Sequence, residues 1–325
     1  SFISIKTSFV KSDKKTNTNK NFENMKKHAM VIAERLANKN PNFEGGYDSL
    51  GFPSGYGLTA PQVLIPAFIS AYSGKSPSKV STSLFRMFPK LPYPNWKLTY
   101  SGLSKLEFFE KYFKSFTMSH GYTSSYSVGT FSSNSNYKER DGYEYVRQVI
   151  DNRKGNYIMK YDITSVSINE QFNPLLDFNM QWKNSLTTRI EFKKRRDISL
   201  SLVNNMITEV GSKEIVLGAG YRFKDIEFSF ITSSKNKKIK SDINLRADFS
   251  IRENKTILRK IVENYNLISA GQRIISISIS ADYALNERFT IRAFFEKMIN
   301  NPFVSMQYPT SNTNGGISVK FSLIP

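Results

Sequence analysis

The chain has 325 residues, no cysteine, and 46 Lys and Arg against 27 Asp and Glu, for a formal net charge of +19. Without cysteine a disulfide scaffold is excluded. With a mean hydropathy of −0.40 and no apolar run approaching the ~18 residues of a membrane helix, so is helical membrane insertion. Spanning strands expose only alternate residues to lipid, so low overall hydropathy does not speak against a barrel, and 14% aromatic residues suit its interfacial girdles.

In chain order, residues 1–10 read as a first strand. Residues 11–95 interrupt the strand pattern. Lys11 to Lys20 is polar and cationic, as in a mobile loop. Met25, Ala29, Ile32, Ala33 and Leu36 then recur at helical spacing after an Asn21 cap, predicting a helix over 22–38 that ends before Pro41. The stretch GGYDSLGFPSGYGLTAP leads to a second helix over 62–73, with Thr59 and Gln62 at capping-box spacing and Gly74 as its stop. Pro66 either kinks that helix or marks its first turn. So long an insertion reads as a folded extracellular cap, or as a gate or docking surface.

Residues 96–325 carry the strands. In 177–193, Phe178, Met180, Trp182, Leu186, Ile190 and Phe192 alternate with Asp177, Gln181, Lys183, Thr187, Arg189 and Lys193. A period of two means an extended strand with one greasy and one wet face. Residues 239–252 repeat it with Ile243, Leu245 and Phe249 opposite Arg246, and 273–285 with Ile277 and Ile279 opposite serines. In 115–131 the wet face is small: Ser115, Thr117, Ser119 and Thr123 oppose Phe116, Met118 and Tyr122. Strands this long exceed the ~5–6 residues usual in a sandwich. The expected fold is therefore all-β, a transmembrane antiparallel β-barrel with an inserted helical extracellular region. The expected lipid-facing residues are Phe178, Met180, Trp182, Leu186, Ile190, Phe192, Ile243, Leu245, Phe249, Ile277 and Ile279. The expected lumen-facing ones are Ser115, Thr117, Ser119, Thr123, Gln181, Lys183, Thr187, Arg189 and Arg246.

The remaining candidate strands are 96–103, 143–152, 157–168, 198–210, 213–223, 226–233, 256–268, 288–299 and 314–324, about fourteen in all with 1–10. Tight inner turns are expected at Lys194 to Asp197, Lys224-Asp225, Glu253 to Lys255 and Asn286-Glu287, with 300–313 and 11–95 outside and 104–114 inside. That parity depends on the weakly alternating 143–152. The basic runs Lys193 to Arg196 and Lys235 to Lys240 then fall between strands and read as solvated turns or contacts to anionic lipid or cargo, without a nucleic-acid-binding motif.

No catalytic, cofactor or metal motif stands up. Gly74-Lys75-Ser76 follows a helix instead of opening one, and Ile69 stands where a phosphate loop has its first glycine. Gly218-Ala219-Gly220 is followed by Phe223 where a dinucleotide fingerprint needs a small residue. His28 and His120 have no Cys, His or carboxylate at ligand spacing. His120 alone is a partial acid/base candidate, and otherwise a girdle or bulge residue.

Longer blocks carry a resemblance. GYGLTAPQVLIPAFISAYSGKSP, LPYPNWKLTYSGLSKLEFFEKYFKSFTMSHGYTSSYSVGTF and SAGQRIISISISADYALNERFTIRAFFEKMINNPFVSMQYPTSNTNGGISVKFSLIP together resemble the C-terminal region of the SprA/Sov family. Those proteins form the very large outer-membrane barrel of the Bacteroidota type IX secretion system and gliding apparatus. The resemblance implies that this chain is a C-terminal portion of a larger polypeptide forming a channel for folded cargo proteins. It further implies a lateral opening, a PorV-type partner barrel and a periplasmic plug. From the residues alone, a self-contained barrel of about fourteen strands acting as porin, fatty-acid channel or surface enzyme stays open. Pairing of 1–10 with 314–324 would distinguish it.

Overall fold

In a computed structural model, the described residues are 5–13, 15–83, 94–232, 235–286 and 289–321. The elements in order are α1 (Ile5–Ser8), α2 (Lys20–Ala37), α3 (Pro61–Ser73), β1 (Trp96–Tyr100), a 3-10 turn (Gly102–Lys105), α4 (Glu107–Tyr112) and β2 (Phe113–Val128). Six short strands follow: β3 (Phe131–Ser133), β4 (Glu139–Arg140), β5 (Tyr143–Glu144), β6 (Arg147–Ile150), β7 (Arg153–Tyr157) and β8 (Tyr161–Ile163). The long strands are β9 (Ser165–Trp182), β10 (Leu186–Ser201), β11 (Met206–Thr232), β12 (Lys235–Lys260), β13 (Tyr265–Asn286), β14 (Phe289–Pro302) and β15 (Thr310–Phe321).

The fold is predominantly β. One nine-stranded antiparallel sheet runs in the order β1-β2-β9-β10-β11-β12-β13-β14-β15, and β3-β8, β4-β5 and β6-β7 form three two-stranded pairs. Among the described residues its edge strands, β1 and β15, do not pair with each other. No described helix is long and apolar enough to cross a membrane. The sheet's lower end carries residues 101–112 and the 183–185 turn; its upper end carries 202–205, 261–264 and 303–309.

Several expected boundaries move. Residues 5–8 of the expected 1–10 strand form α1, and residues 1–4 lie outside the described residues. The 177–193 alternation is a hairpin, with β9 ending at Trp182 and β10 starting at Leu186. Partners across an antiparallel pair share a face, and a three-residue connection joins two even positions, so the alternation passes through the turn unbroken. Ser185 adopts φ +68° there, and the Asn184 side chain accepts from the Leu186 amide at 3.3 Å. Lys183 is thus a turn residue.

The opposite error occurs at three expected turns. Lys194 to Asp197 lies inside β10, where charges occupy both faces, and Glu253 to Lys255 lies inside β12. Lys224-Asp225 is a bulge within β11, with Asp225 at φ +54°, so 213–223 and 226–233 are one strand. Turns at 202–205 and 261–264 cut the expected strands 198–210 and 256–268. The expected strand 143–152 is two fragments, β5 and β6, outside the nine-stranded sheet, because its Tyr143, Tyr145, Val146 and Val149 lack a period of two. The Asn286-Glu287 turn falls where β13 gives way to β14, and Glu287 lies outside the described residues.

Both expected helices exist. The cap of α2 is Asn19, whose side chain accepts from the Phe22 amide at 2.8 Å, in place of Asn21. α3 begins at Pro61 with no side-chain cap; Gln62 donates instead to the Tyr157 carbonyl at 3.1 Å, and Pro66 lies inside the helix. Gly74 closes α3 at φ +68°, the left-handed conformation glycine adopts without penalty. Because α3 is apolar on every side, it must be enclosed, and Val63, Leu64, Ile65, Phe68, Ile69 and Tyr72 are all fully buried. Each such aliphatic side chain contributes roughly 1.5–3 kcal/mol. The enclosure comes from α2 and from the upper strand ends at Val166, Ile168, Ile198, Leu200 and Ile207.

Candidate functional site

The chemistry of the sheet lies in its rows. Reading across β10 to β14, one row is Phe192, Ile215, Ile251, Ile275 and Ile299. Below it run Ile190, Leu217, Phe249, Ile277 and Lys297, then Thr188, Ala219, Ala247, Ile279 and Phe295. Leu186, Tyr221, Leu245, Ala281 and Ala293 come next, then Phe223, Ile243, Tyr283 and Ile291 on β11 to β14. These residues share one face, interrupted by Lys297 alone among charged groups. Among the described residues much of it is uncovered: Leu217, Phe223, Ile279 and Phe295 are each about 40% exposed. The step from Ile215 to Phe223 is about 26 Å along a strand, or about 20 Å of height at a tilt of roughly 35–45°, close to the ~25 Å apolar band of a spanning barrel.

One row above Phe192 and Ile275, the same face turns ionic: Lys194, Lys213, Glu253 and Arg273 lie side by side. Higher still, the helical region covers this face and ion pairs hold it there. Arg196 bonds Glu170 at 2.9 Å and donates to the Thr7 carbonyl at 2.8 Å; Glu170 also accepts from Tyr122 at 2.7 Å and from Ser8. Arg259, fully buried, bonds Glu209 at 2.8 Å and donates to the Asn17 carbonyl at 2.6 Å and to Asn266 at 2.9 Å. Lys194 donates to the Ser8 carbonyl with its ammonium 3.7 Å from the centre of the Phe9 ring. The strands 139–157 clasp the helices from the other side, through Asn40 to the Glu144 carbonyl and Asn42 to the Arg140 carbonyl.

These docking residues escaped sequence reading, although a signal existed: Lys194, Arg196 and Arg259 sit at positions whose parity belongs to the greasy face. Charge at such positions meant that something polar covers the face there, not that the strand had ended.

The opposite face is mainly polar, with Val216, Ile274, Phe294 and Met298 as apolar members by register. Ser115 pairs with Gln181, Thr117 with Asn179 and Ser119 with Asp177, and Thr187 joins Gln181, Gly220 and Arg246 in one row. Thr123 and Arg189 share this face by register. Arg189 bonds Asp177 and Glu191, both at 3.0 Å, and Lys193 bonds Glu191 at 3.0 Å. The register therefore gathers Ser115, Thr117, Ser119, Thr123, Gln181, Thr187, Arg189 and Arg246 on one face, and puts Phe178, Met180, Trp182, Leu186, Ile190, Phe192, Ile243, Leu245, Phe249, Ile277 and Ile279 on the other.

The two histidines lie on separate elements, α2 and β2. His28 on α2 contacts the Ser70 hydroxyl at 2.5 Å, but Ser70 is fully buried in α3, and burial lowers the pKa of His28. His120 lies in a bulge of β2 and contacts the Leu175 carbonyl at 2.6 Å. Among the described residues no three His, Cys, Asp or Glu converge as metal ligands. No family model matches this chain, and no curated protein matches it.

Proposed function

We propose that this sheet is a stretch of wall in an outer-membrane β-barrel of a Gram-negative bacterium, its apolar band in lipid and its polar face lining an aqueous lumen. The observation that carries this is the uncovered apolar band with its sharp ionic border on the same face. A soluble protein rarely exposes so large a continuous apolar area. Membrane hydrocarbon demands a band of about this height, and a closed barrel would satisfy every backbone group within it.

Within that class, the resemblance to the SprA/Sov family makes the chain part of the type IX protein-conducting channel. It would work as a passive, non-catalytic conduit for folded cargo that supports gliding, with a PorV-type barrel and a periplasmic plug as partners. Supporting this over a small self-contained pore, the sheet has nine strands instead of about fourteen, and both of its edges stay open among the described residues. Further strands would have to complete it. The helical region packs beyond the ionic border at the upper end, where it would face outward, while 101–112 at the lower end would face the periplasm.

The test is the mass of the polypeptide extracted from its native outer membrane. A mass far above 37.2 kDa supports the large-channel reading, and a mass near it contradicts that reading.

A further inference from the structure

The polar face is not uniform. Near its lower end a depression of about 400 Å³ opens between β9 and β12, lined among others by Lys114, Gln181, Thr187, Arg222, Lys224 and Arg246. A second, of about 240 Å³, adjoins it through Gln181, Thr187, Gly220 and Arg246 and reaches Arg189 and Asp248. Glycines keep the depressions open: a Cβ on Gly220, which lines both, would stand 2.6 Å from the Thr187 hydroxyl, and one on Gly218, in the second, 2.8 Å from an Asp248 oxygen, so those side chains would have to shift. Side chains there would fill the groove.

Charge in this groove is unbalanced. Arg189 is paired with Asp177 and Glu191, and Arg222 with Asp242. Lys114, Lys224 and Arg246 take part in none of the ion pairs among the described residues. They leave a cationic excess over the one Asp248 carboxylate, along two adjoining depressions open on one side. Apart from the 223–226 bulge, whose Asp225 amide donates to the Asp242 carboxylate at 3.0 Å, the strand amides are paired within the sheet. Recognition falls to flexible cationic side chains spaced along the groove, with Arg246 able to take a carboxylate bidentately.

From this we infer that the groove is a binding site for an acidic, extended segment of a polypeptide at the polar face. This rests on the polar face being the aqueous lumen, and it adds the chemistry of what that lumen receives at its lower mouth.

The test uses the full-length protein in detergent, with fluorescent hexaglutamate at low ionic strength. Wild type should bind it. K114Q/R246Q should bind at least ~10-fold more weakly and R246K, which keeps the charge and loses the bidentate fork, to an intermediate degree, while the distant K138Q should bind as wild type does. Raising salt to about 1 M, where the Debye length falls to ~3 Å, should abolish binding. The inference is overturned by absence of binding to wild type, by undiminished binding to K114Q/R246Q, by equal weakening in K138Q, or by displacement with millimolar inorganic phosphate. The last would mark a small-anion site. A separate reading distinguishes this failure from failure of the channel assignment: a membrane-impermeant thiol reagent should label Cys in place of Thr187 in vesicles whether or not peptide binds.

Discussion

Single positions on this sheet differ by which face they occupy and how much of the chain covers them. Ile277→Arg puts a guanidinium on the apolar face near the middle of the band and should cost about 2–4 kcal/mol of membrane-folded stability, whereas Ser278→Arg, one residue along, should cost less than about 1 kcal/mol. Denaturant titration in lipid vesicles measures both, and equal costs would place the apolar band in water or in protein. Leu186, at a hairpin end, is a poorer probe than the 177–193 alternation makes it seem. Cover decides a second contrast. Arg259 and Arg273 both bond a glutamate across the β11 to β13 ladders, at 2.8 Å and 2.7 Å respectively. Arg259 is fully buried and holds residue 17 of the helical region, while Arg273 is half exposed. Arg259→Ala should therefore destabilise docking of α2 by about 3 kcal/mol or more by stranding Glu209, against less than about 1 kcal/mol for Arg273→Ala. Hydrogen exchange in α2 reports the difference.

Elements show what could be read from the chain and what could not. Residue period grouped the two sets of residues by face as the register groups them, with Lys183 in a turn as the exception, because side-chain direction in a strand depends only on parity. It did not give the turns. Asn184-Ser185 and Asn204-Asn205 are turn signals that the surrounding alternation hid, while Lys194 to Asp197 and Glu253 to Lys255 look like turns and are mid-strand. Cationic residues solvate a turn and an ion-paired strand face equally well, so composition cannot separate the two. The helical insertion and 101–112 fall at opposite ends of the sheet, although the strand count that led to this arrangement relied on 143–152 and on turns that the structure does not have. The helices were legible because α3 is apolar all round and α2 along one stripe; their docking partners lay far away in sequence and were not. Within this unit His28 gives a pH signature. Its pKa is lowered by burial, so folding favours the neutral ring, and stability is full above about pH 6.5 and lost as pH falls below it. Exchange protection of α3 should drop between pH 7.5 and 5. H28Q should flatten that dependence; an unchanged profile in H28Q assigns the effect elsewhere.

For the whole molecule, the sheet and the helical region divide the work at the ionic border. Replacing residues 12–83 by a short linker should leave the band inserted in the outer membrane, because its rows are paired within the sheet, but should expose Ile198, Leu200 and Ile207 and change ion leak. Loss of insertion would make the helices part of the scaffold. The central claim, lipid on one face and water on the other, is tested most directly by the absence of cysteine from the sequence, which makes single introduced cysteines specific labels. Spin labels placed one by one from Ile215 to Arg222 in reconstituted bilayers should alternate. Positions 215, 217, 219 and 221 should be reached by lipid-dissolved oxygen, and positions 216, 218, 220 and 222 by a water-soluble nickel chelate. Uniform access to the aqueous reagent at all eight positions would contradict a membrane-spanning wall.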